Sequence, residues 1–173
     1  MKISALAVLS CIVLGLLSGC SILTREPYRE IRRYDLAMPE ARIALPAKLP
    51  DGIFNLTPAG QKMLFRKDGY QLVEDPYTVW AQLPEKMLLR YFYNRFQEDP
   101  RQLPVRLTVL TFELNAASGS ASLTLAAERG GIRKILRTTA PMANPTGEAA
   151  AAAMSQCCAQ SADLLAAWVK EVQ

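Results

Sequence analysis

Cysteine is the side chain with the most reactive potential in this sequence. There are four, Cys11, Cys20, Cys157 and Cys158, and the 173 residues contain no histidine. A thiol without an imidazole lacks a common base for nucleophilic catalysis and a common companion ligand for zinc. Cys157 and Cys158 are adjacent and so lack the Cys-x-x-Cys spacing of a thioredoxin-like redox site. Neighbouring side chains on a helix point about 100° apart, which strains a bond between them. The pair therefore reads either as two small apolar groups of a core or, in an oxidising compartment, as a candidate intermolecular disulfide. Glu74 and Asp75 come nearest to a carboxylate pair, and at a strand end they read as turn formers. The sequence has no Gly-x-Ser-x-Gly elbow, phosphate-cradling loop or repeated Asp/Glu metal pattern. No catalytic residue, cofactor or metal is expected, and the chain is read as a non-enzyme.

Cys20 stands in a different context. Lys2 supplies a basic start, Ile3 to Leu17 an apolar run, and Leu17-Ser18-Gly19-Cys20 a small-residue close, the layout of a secretory signal whose cleavage leaves Cys20 first. The fifteen residues of that run fall short of the roughly twenty that span a bilayer, so a retained transmembrane helix is the weaker reading. The same four residues resemble the lipobox of bacterial lipoproteins. That resemblance implies a diacylglyceryl group on the Cys20 thiol and a third acyl chain on its amine. Each buried CH₂ contributes about 0.8 kcal/mol, so several chains together make a stable anchor. Ser21 in place of an aspartate implies, by the same resemblance, the periplasmic face of the outer membrane.

The expected organisation is a signal peptide over residues 1–19, a lipidated N-terminus and tether over 20–33, and one domain over 34–173. The tether is polar and interrupted by Pro27, and fully extended it reaches about 40 Å. Within it Arg29, Arg32 and Arg33 are candidate contacts to anionic headgroups close to the anchor. Loss of Lys2 lowers the formal charge from +4 to +3, and the remaining basic residues are scattered. With export as well, nucleic acid is excluded as a partner. A mature chain of about 150 residues can bury roughly 68% of its unfolded surface, enough for one core.

Periodicity sets out the elements. Tyr34 to Met38 and Arg42 to Leu45 read as short strands near prolines, whereas Asp51 to Gln61 is rich in turn formers. Lys62 to Arg66 and Tyr70 to Glu74 form a hairpin about Lys67-Asp68-Gly69, which Asp75-Pro76 should break. Pro84 and Glu85 open a helix to Gln97 with a buried stripe of Leu88, Leu89, Phe92 and Phe96. Val105, Leu107 and Val109 alternate in one phase and Leu110, Phe112 and Leu114 in the other, so this strand is buried on both faces or bulged near Val109. Leu123 to Ala127 returns, Arg129-Gly130-Gly131 turns, and Ile132 to Thr139 completes a meander. Thr146 caps a final Ala-rich helix from Glu148 to about Glu171, with a stripe through Ala150, Met154, Cys157 or Cys158, Ser161, Leu165, Trp168 and Val172 that Leu164 widens. The fold class is α/β in the α+β sense: a mixed, mostly antiparallel sheet with two main helices packed on it. Tyr77, Trp80, Tyr91, Phe92, Tyr93 and Phe96 crowd into twenty residues around the first helix. Trp80, Phe92 and Phe96 are assigned to the core, and Tyr77, Tyr91 and Tyr93 are candidates for a partner interface.

Several of these stretches carry a wider likeness. Tyr34-Asp35-Leu36, the run from Tyr77 through Trp80-Ala81 to Pro84, Val109-Leu110-Thr111-Phe112-Glu113 and its return Ala121 to Leu125 resemble the ABC-type transport auxiliary lipoproteins, the PqiC/YmbA family. The segment from Leu49 to Lys62 departs from that pattern by a longer loop. The resemblance implies a non-enzymatic outer-membrane lipoprotein partnering an MCE-domain protein and ABC lipid transport machinery, with assembly into a homo-oligomer. Two other readings fit an exported domain without an active site. One is a direct lipid-binding module, which needs an internal apolar pocket, and the other is a pilotin or envelope-assembly lipoprotein of a secretion system.

Overall fold

A computed structural model describes residues 28–172. The expected signal peptide and Cys20 lie outside the described residues. Contacts divide the chain after Glu30, and the compact unit that begins at Ile31 holds every element among the described residues. These are β1 (Arg32–Tyr34), β2 (Ile43–Leu45), β3 (Phe54–Asn55), β4 (Lys62–Asp68), β5 (Gln71–Trp80), α1 (Pro84–Arg95), β6 (Phe96–Glu98), β7 (Arg106–Asn115), β8 (Ser120–Arg129), β9 (Ile132–Pro141) and α2 (Gly147–Glu171). The α+β architecture expected from the sequence is the one observed. The main sheet has the order β1-β5-β4-β7-β8-β9, with β3 also on β7, and β2 pairs with β6 separately.

Strand β7 is its centre, and its two apolar phases are reconciled by a bulge. Val109 opposes Leu125, but Thr111 opposes Thr124, so Leu110 is the extra residue. One inserted residue reverses the side-chain alternation. Leu107, Val109, Phe112 and Leu114 consequently all point into the core with Leu123 and Leu125. The bulge also divides the far edge of β7, where β3 pairs in parallel at Thr108 and Val109 and β4 in parallel at Leu114 and Asn115. These parallel pairs, with β1 on β5 and β2 on β6, are what the alternation alone did not reveal.

Helix α2 covers one sheet face. Thr146 Oγ1 accepts from the Ala149 amide at 3.3 Å, and the expected stripe from Ala150 through Met154, Cys157, Cys158, Ser161 and Leu165 to Trp168 is buried. Leu164 does not widen it, being 44% exposed. Deep in the contact Thr138 Oγ1 lies 3.0 Å from Ser161 Oγ and donates to the Cys157 carbonyl at 3.1 Å, which satisfies two hydroxyls where no water reaches. The opposite sheet face carries cross-strand rows such as Arg106, Glu128, Arg133 and Thr111, Thr124, Arg137. These rows are polar, and Leu64, Leu110 and Ile135 are half-buried.

Three boundaries are corrected. Strand β1 spans Arg32–Tyr34, not Tyr34 to Met38, so Arg32 and Arg33 leave the tether for the sheet, paired in parallel with Thr78 and Val79. Strand β5 continues through Asp75-Pro76 to Trp80. Lys62 opposes Val79 and Leu64 opposes Glu74, so β5 bulges around Pro76, where the absent amide hydrogen interrupts no ladder. Asp75 Oδ1 accepts from the Tyr77 amide at 2.9 Å and holds that bulge. Helix α1 ends at Arg95 rather than Gln97, because Phe96 to Glu98 pair with Ile43 to Leu45.

Gly147 opens α2 where β1 and β5 press closest. A Cβ there would lie 2.3 Å from the Tyr34 ring and 2.6 Å from the Thr78 methyl. Gly147→Ala should therefore destabilise by about 1–3 kcal/mol, although alanine elsewhere in a helix is favoured over glycine by about 1 kcal/mol. Urea unfolding would show a lower midpoint at constant slope. A gain in stability would refute the close packing.

Candidate functional site

The three tyrosines assigned to a partner interface occupy three different settings. Tyr91 is a correction: it is 3% exposed and packs edge-on to Phe92, with ring centroids 6.0 Å apart. The helix turns Met87, Leu88, Tyr91 and Phe92 inward, a stripe that lies one position N-terminal of the expected one, and Leu89 is only half-buried. Desolvation pushes the Tyr91 hydroxyl pKa above its usual value. Tyr93 remains 39% exposed, with its hydroxyl donating to the Pro50 carbonyl at 3.2 Å. Tyr77 is half-buried on β5. Arg29, Arg32 and Arg33 are exposed. As consecutive residues of β1, Arg32 and Arg33 project to opposite faces and form no single patch.

The cysteines are corrected too. Cys157 and Cys158 are both wholly buried as free thiols, so neither sulfur can reach another chain while the domain is folded. Cys157 Sγ donates to the Ala121 carbonyl at 3.4 Å. Burial raises both thiol pKa values, Cys158 well above its normal value. They are core residues.

What the fold does expose is a cleft of about 470 Å³ at the end of the sheet where β8 turns into β9. Its walls come from three distant stretches: Pro50 to Phe54, Leu103 to Arg106, and Glu128 to Gly131. Each wall has a local cause. The turn Gly130-Gly131 has φ of +56° and +82°, the two positive angles that a tight hairpin of this hand requires. Val105 donates its amide to the Lys48 carbonyl at 2.9 Å, tying the second wall to the chain that leads into the first. Phe54, held by the short β3 pairing on β7, is 64% exposed, and Leu103 is 60% exposed. Arg106 Nη1 and Glu128 Oε1 approach to 3.4 Å at the rim.

Beneath the cleft lies Arg129, a buried guanidinium that pairs with no carboxylate among the described residues. Nη1 donates to the carbonyls of Val169 at 3.2 Å and Val172 at 3.5 Å. Nη2 donates to the Pro46 carbonyl at 3.1 Å and to Gln102 Oε1 at 3.4 Å. A cation at the C-terminal end of α2 satisfies carbonyls that have no partner in the helix and opposes the helix dipole. Arg129 thus joins the last turn of α2, β8 and the loop after β2. The cleft can offer apolar contact and one ion pair to an occupant, the recognition chemistry of a peptide or an acyl chain. Phe54, Leu103 and Arg129 were not singled out from the sequence. Phe54 lay in the turn-rich stretch without periodicity, and the only hint for Arg129 was a basic residue one step before Gly-Gly.

The comparisons with known proteins bear on the fold. No family model matches the sequence, and no curated protein matches it. Among solved structures, the chain is similar to a Xanthomonas campestris protein of family DUF330, with TM-score 0.60 and 14% identity over 82% of this chain and 96% of that one. A crystal structure of an uncharacterized protein gives TM-score 0.59 and 13% identity over 84% of this chain and 100% of that one. The architecture described above is therefore one that occurs in solved structures of nearly the same extent.

Two measurements follow from the tyrosines and thiols. Tyr91→Ala should cost about 3–5 kcal/mol by emptying a core site, whereas Tyr93→Phe removes one hydrogen bond and costs about 1 kcal/mol or less. Chemical denaturation would separate them, and equal effects would contradict the burial difference. Cys157 and Cys158 should resist iodoacetamide until urea unfolds the chain. Because folding raises their pKa values, the unfolded state ionises first: stability is full below the ordinary thiol value of about 8.5 and declines as pH rises above it.

Proposed function

We propose that this chain is a member of the ABC-type transport auxiliary lipoproteins. In this reading it is a non-enzymatic component of an intermembrane phospholipid transport system, held at the periplasmic face of the outer membrane. There it docks or stabilises an MCE-domain channel. The observation that carries the proposal is the position of the stretches that resemble the family. Tyr34 closes β1, Trp80 closes β5, and Val109 to Glu113 and Ala121 to Leu125 form the central β7–β8 pair. Trp80 and Phe112, two of the more specific residues, meet edge to face with centroids 5.3 Å apart. Likeness in sequence thus follows the residues that build the sheet. The fold shared with a DUF330 protein supports the same reading, DUF330 being the family of PqiC/YmbA-like proteins.

A domain of this kind works by position. The acyl chains on Cys20 would confine it to one membrane face, and the tether before Ile31 would set its reach. The direct lipid-binding alternative needs an enclosed apolar chamber, whereas the cleft above Arg129 is open and the space between sheet and α2 is filled by side chains. A transported lipid would then be passed by the partner rather than held inside this domain.

Two experiments test the proposal. Affinity capture of the full-length protein from detergent-solubilised envelopes should recover an MCE-domain protein by mass spectrometry. Recovery of secretin or pilus components alone would overturn the transport assignment in favour of a pilotin. Metabolic labelling with palmitate should mark the wild-type chain and leave Cys20→Ala unlabelled, and equal labelling would refute the anchor.

A further inference from the structure

Strand β9 ends the main sheet. It pairs with β8 in unbroken register over ten positions, from Ile132 opposite Arg129 to Pro141 opposite Ser120, and no strand among the described residues pairs with its other side. In an antiparallel strand every second residue directs both its N–H and its C=O away from the partner strand, so this side presents a row of regularly spaced donors and acceptors. The edge is also bordered by a groove of about 310 Å³ between β9 and the outer flank of α2. Ile135, Leu136, Leu164, Ala167 and Trp168 line it, and Glu171 is its one acid. The exposure of Leu164, unexplained by packing within the domain, belongs to this groove.

The charge on β9 itself has one sign. Arg133, Lys134 and Arg137 have no ion-pair partner among the described residues. Arg133 and Arg137 share the open sheet face with Ile135, and Lys134 lies on the side of the buried Leu136. Cations would therefore flank an added strand on both of its faces. This pattern argues against a second copy of the chain. Two β9 strands paired antiparallel about Ile135 would set Arg133 directly opposite Arg137 twice, and like charges in that relation are destabilising.

We infer that the free edge of β9, with its adjoining groove on α2, is a docking site for an extended acidic segment of a partner protein, which adds to the sheet as a further strand. Main-chain hydrogen bonds to β9 supply the binding, alternate apolar side chains enter the groove beside Leu164 and Trp168, and the carboxylates between them, on the open sheet face, meet Arg133 and Arg137. The inference does not depend on the lipid-transport reading, since the partner is defined by its charge and extended form. The same cations keep the unoccupied edge from pairing with another copy.

The test uses the full-length protein in detergent micelles and three labelled peptides about as long as β9. The first alternates glutamate and valine, the second is the same peptide N-methylated along one edge, and the third alternates lysine and valine. Fluorescence anisotropy should show saturable binding of the first, weakened about tenfold or more by N-methylation and absent for the third. Hydrogen exchange should slow at β9 amides, and Arg133→Glu with Arg137→Glu, both exposed, should reverse the preference between the acidic and basic peptides. Equal binding of the N-methylated peptide would reduce the effect to charge attraction and overturn strand addition. No binding of the first peptide, or protection mapping to β5 instead, would overturn the site. Self-association that protects β9 would give the edge to a second copy and overturn the acidic partner.

Discussion

One extra residue in β7 sets the register on which the rest of the sheet depends. Without the bulge at Leu110, either Leu107 and Val109 or Phe112 and Leu114 would face outward, since side chains alternate strictly along a strand. With it, both sets reach the same core, and α2 has one continuous apolar surface to cover. The bulge also breaks the far edge of β7 into two short pairing sites, which is why β3 and β4 can both use it. Parallel attachments are thereby added to an otherwise antiparallel meander without lengthening any strand.

The second organising contact joins the ends of the molecule. Arg129 draws together the last turn of α2, the end of β8 and the loop after β2, while Gly147 at the other end of α2 lets Tyr34 and Thr78 approach the helix start. Between them α2 is fixed along its length, one side buried and the flank beside Leu164 left open. Two of the surfaces left open to a partner are the cleft above Arg129 and the edge of β9.

Much of the framework was legible in the sequence, and the reasons differ by element. The double phase of residues 105–114 left two readings, burial on both faces or a bulge, and the second is the one found, because apolar spacing responds directly to register. The α2 stripe and its Thr146 cap followed from a helical period long enough to be unambiguous. The β4–β5 hairpin was visible at its tip and misjudged in length, since Asp75-Pro76 signals a break unless the strand has a bulge to hold the proline. Tyr91 was placed on the surface because its stripe was drawn through Phe96, a residue that turned out to belong to a strand. The cleft could not be read at all: its first and second walls lie about fifty residues apart, and nothing local marks Phe54 or Leu103 as neighbours.

Arg129 has one more consequence, for the conditions the domain can withstand. Its partners are carbonyl and amide oxygens, none of which titrates. A carboxylate in that place would have made the closure of α2 against the sheet weaken in acid. Carbonyl oxygens leave it indifferent to acidification. In the proposed setting outside the cytoplasm, where no buffer holds the proton concentration steady, the acceptors of this clamp do not register the change.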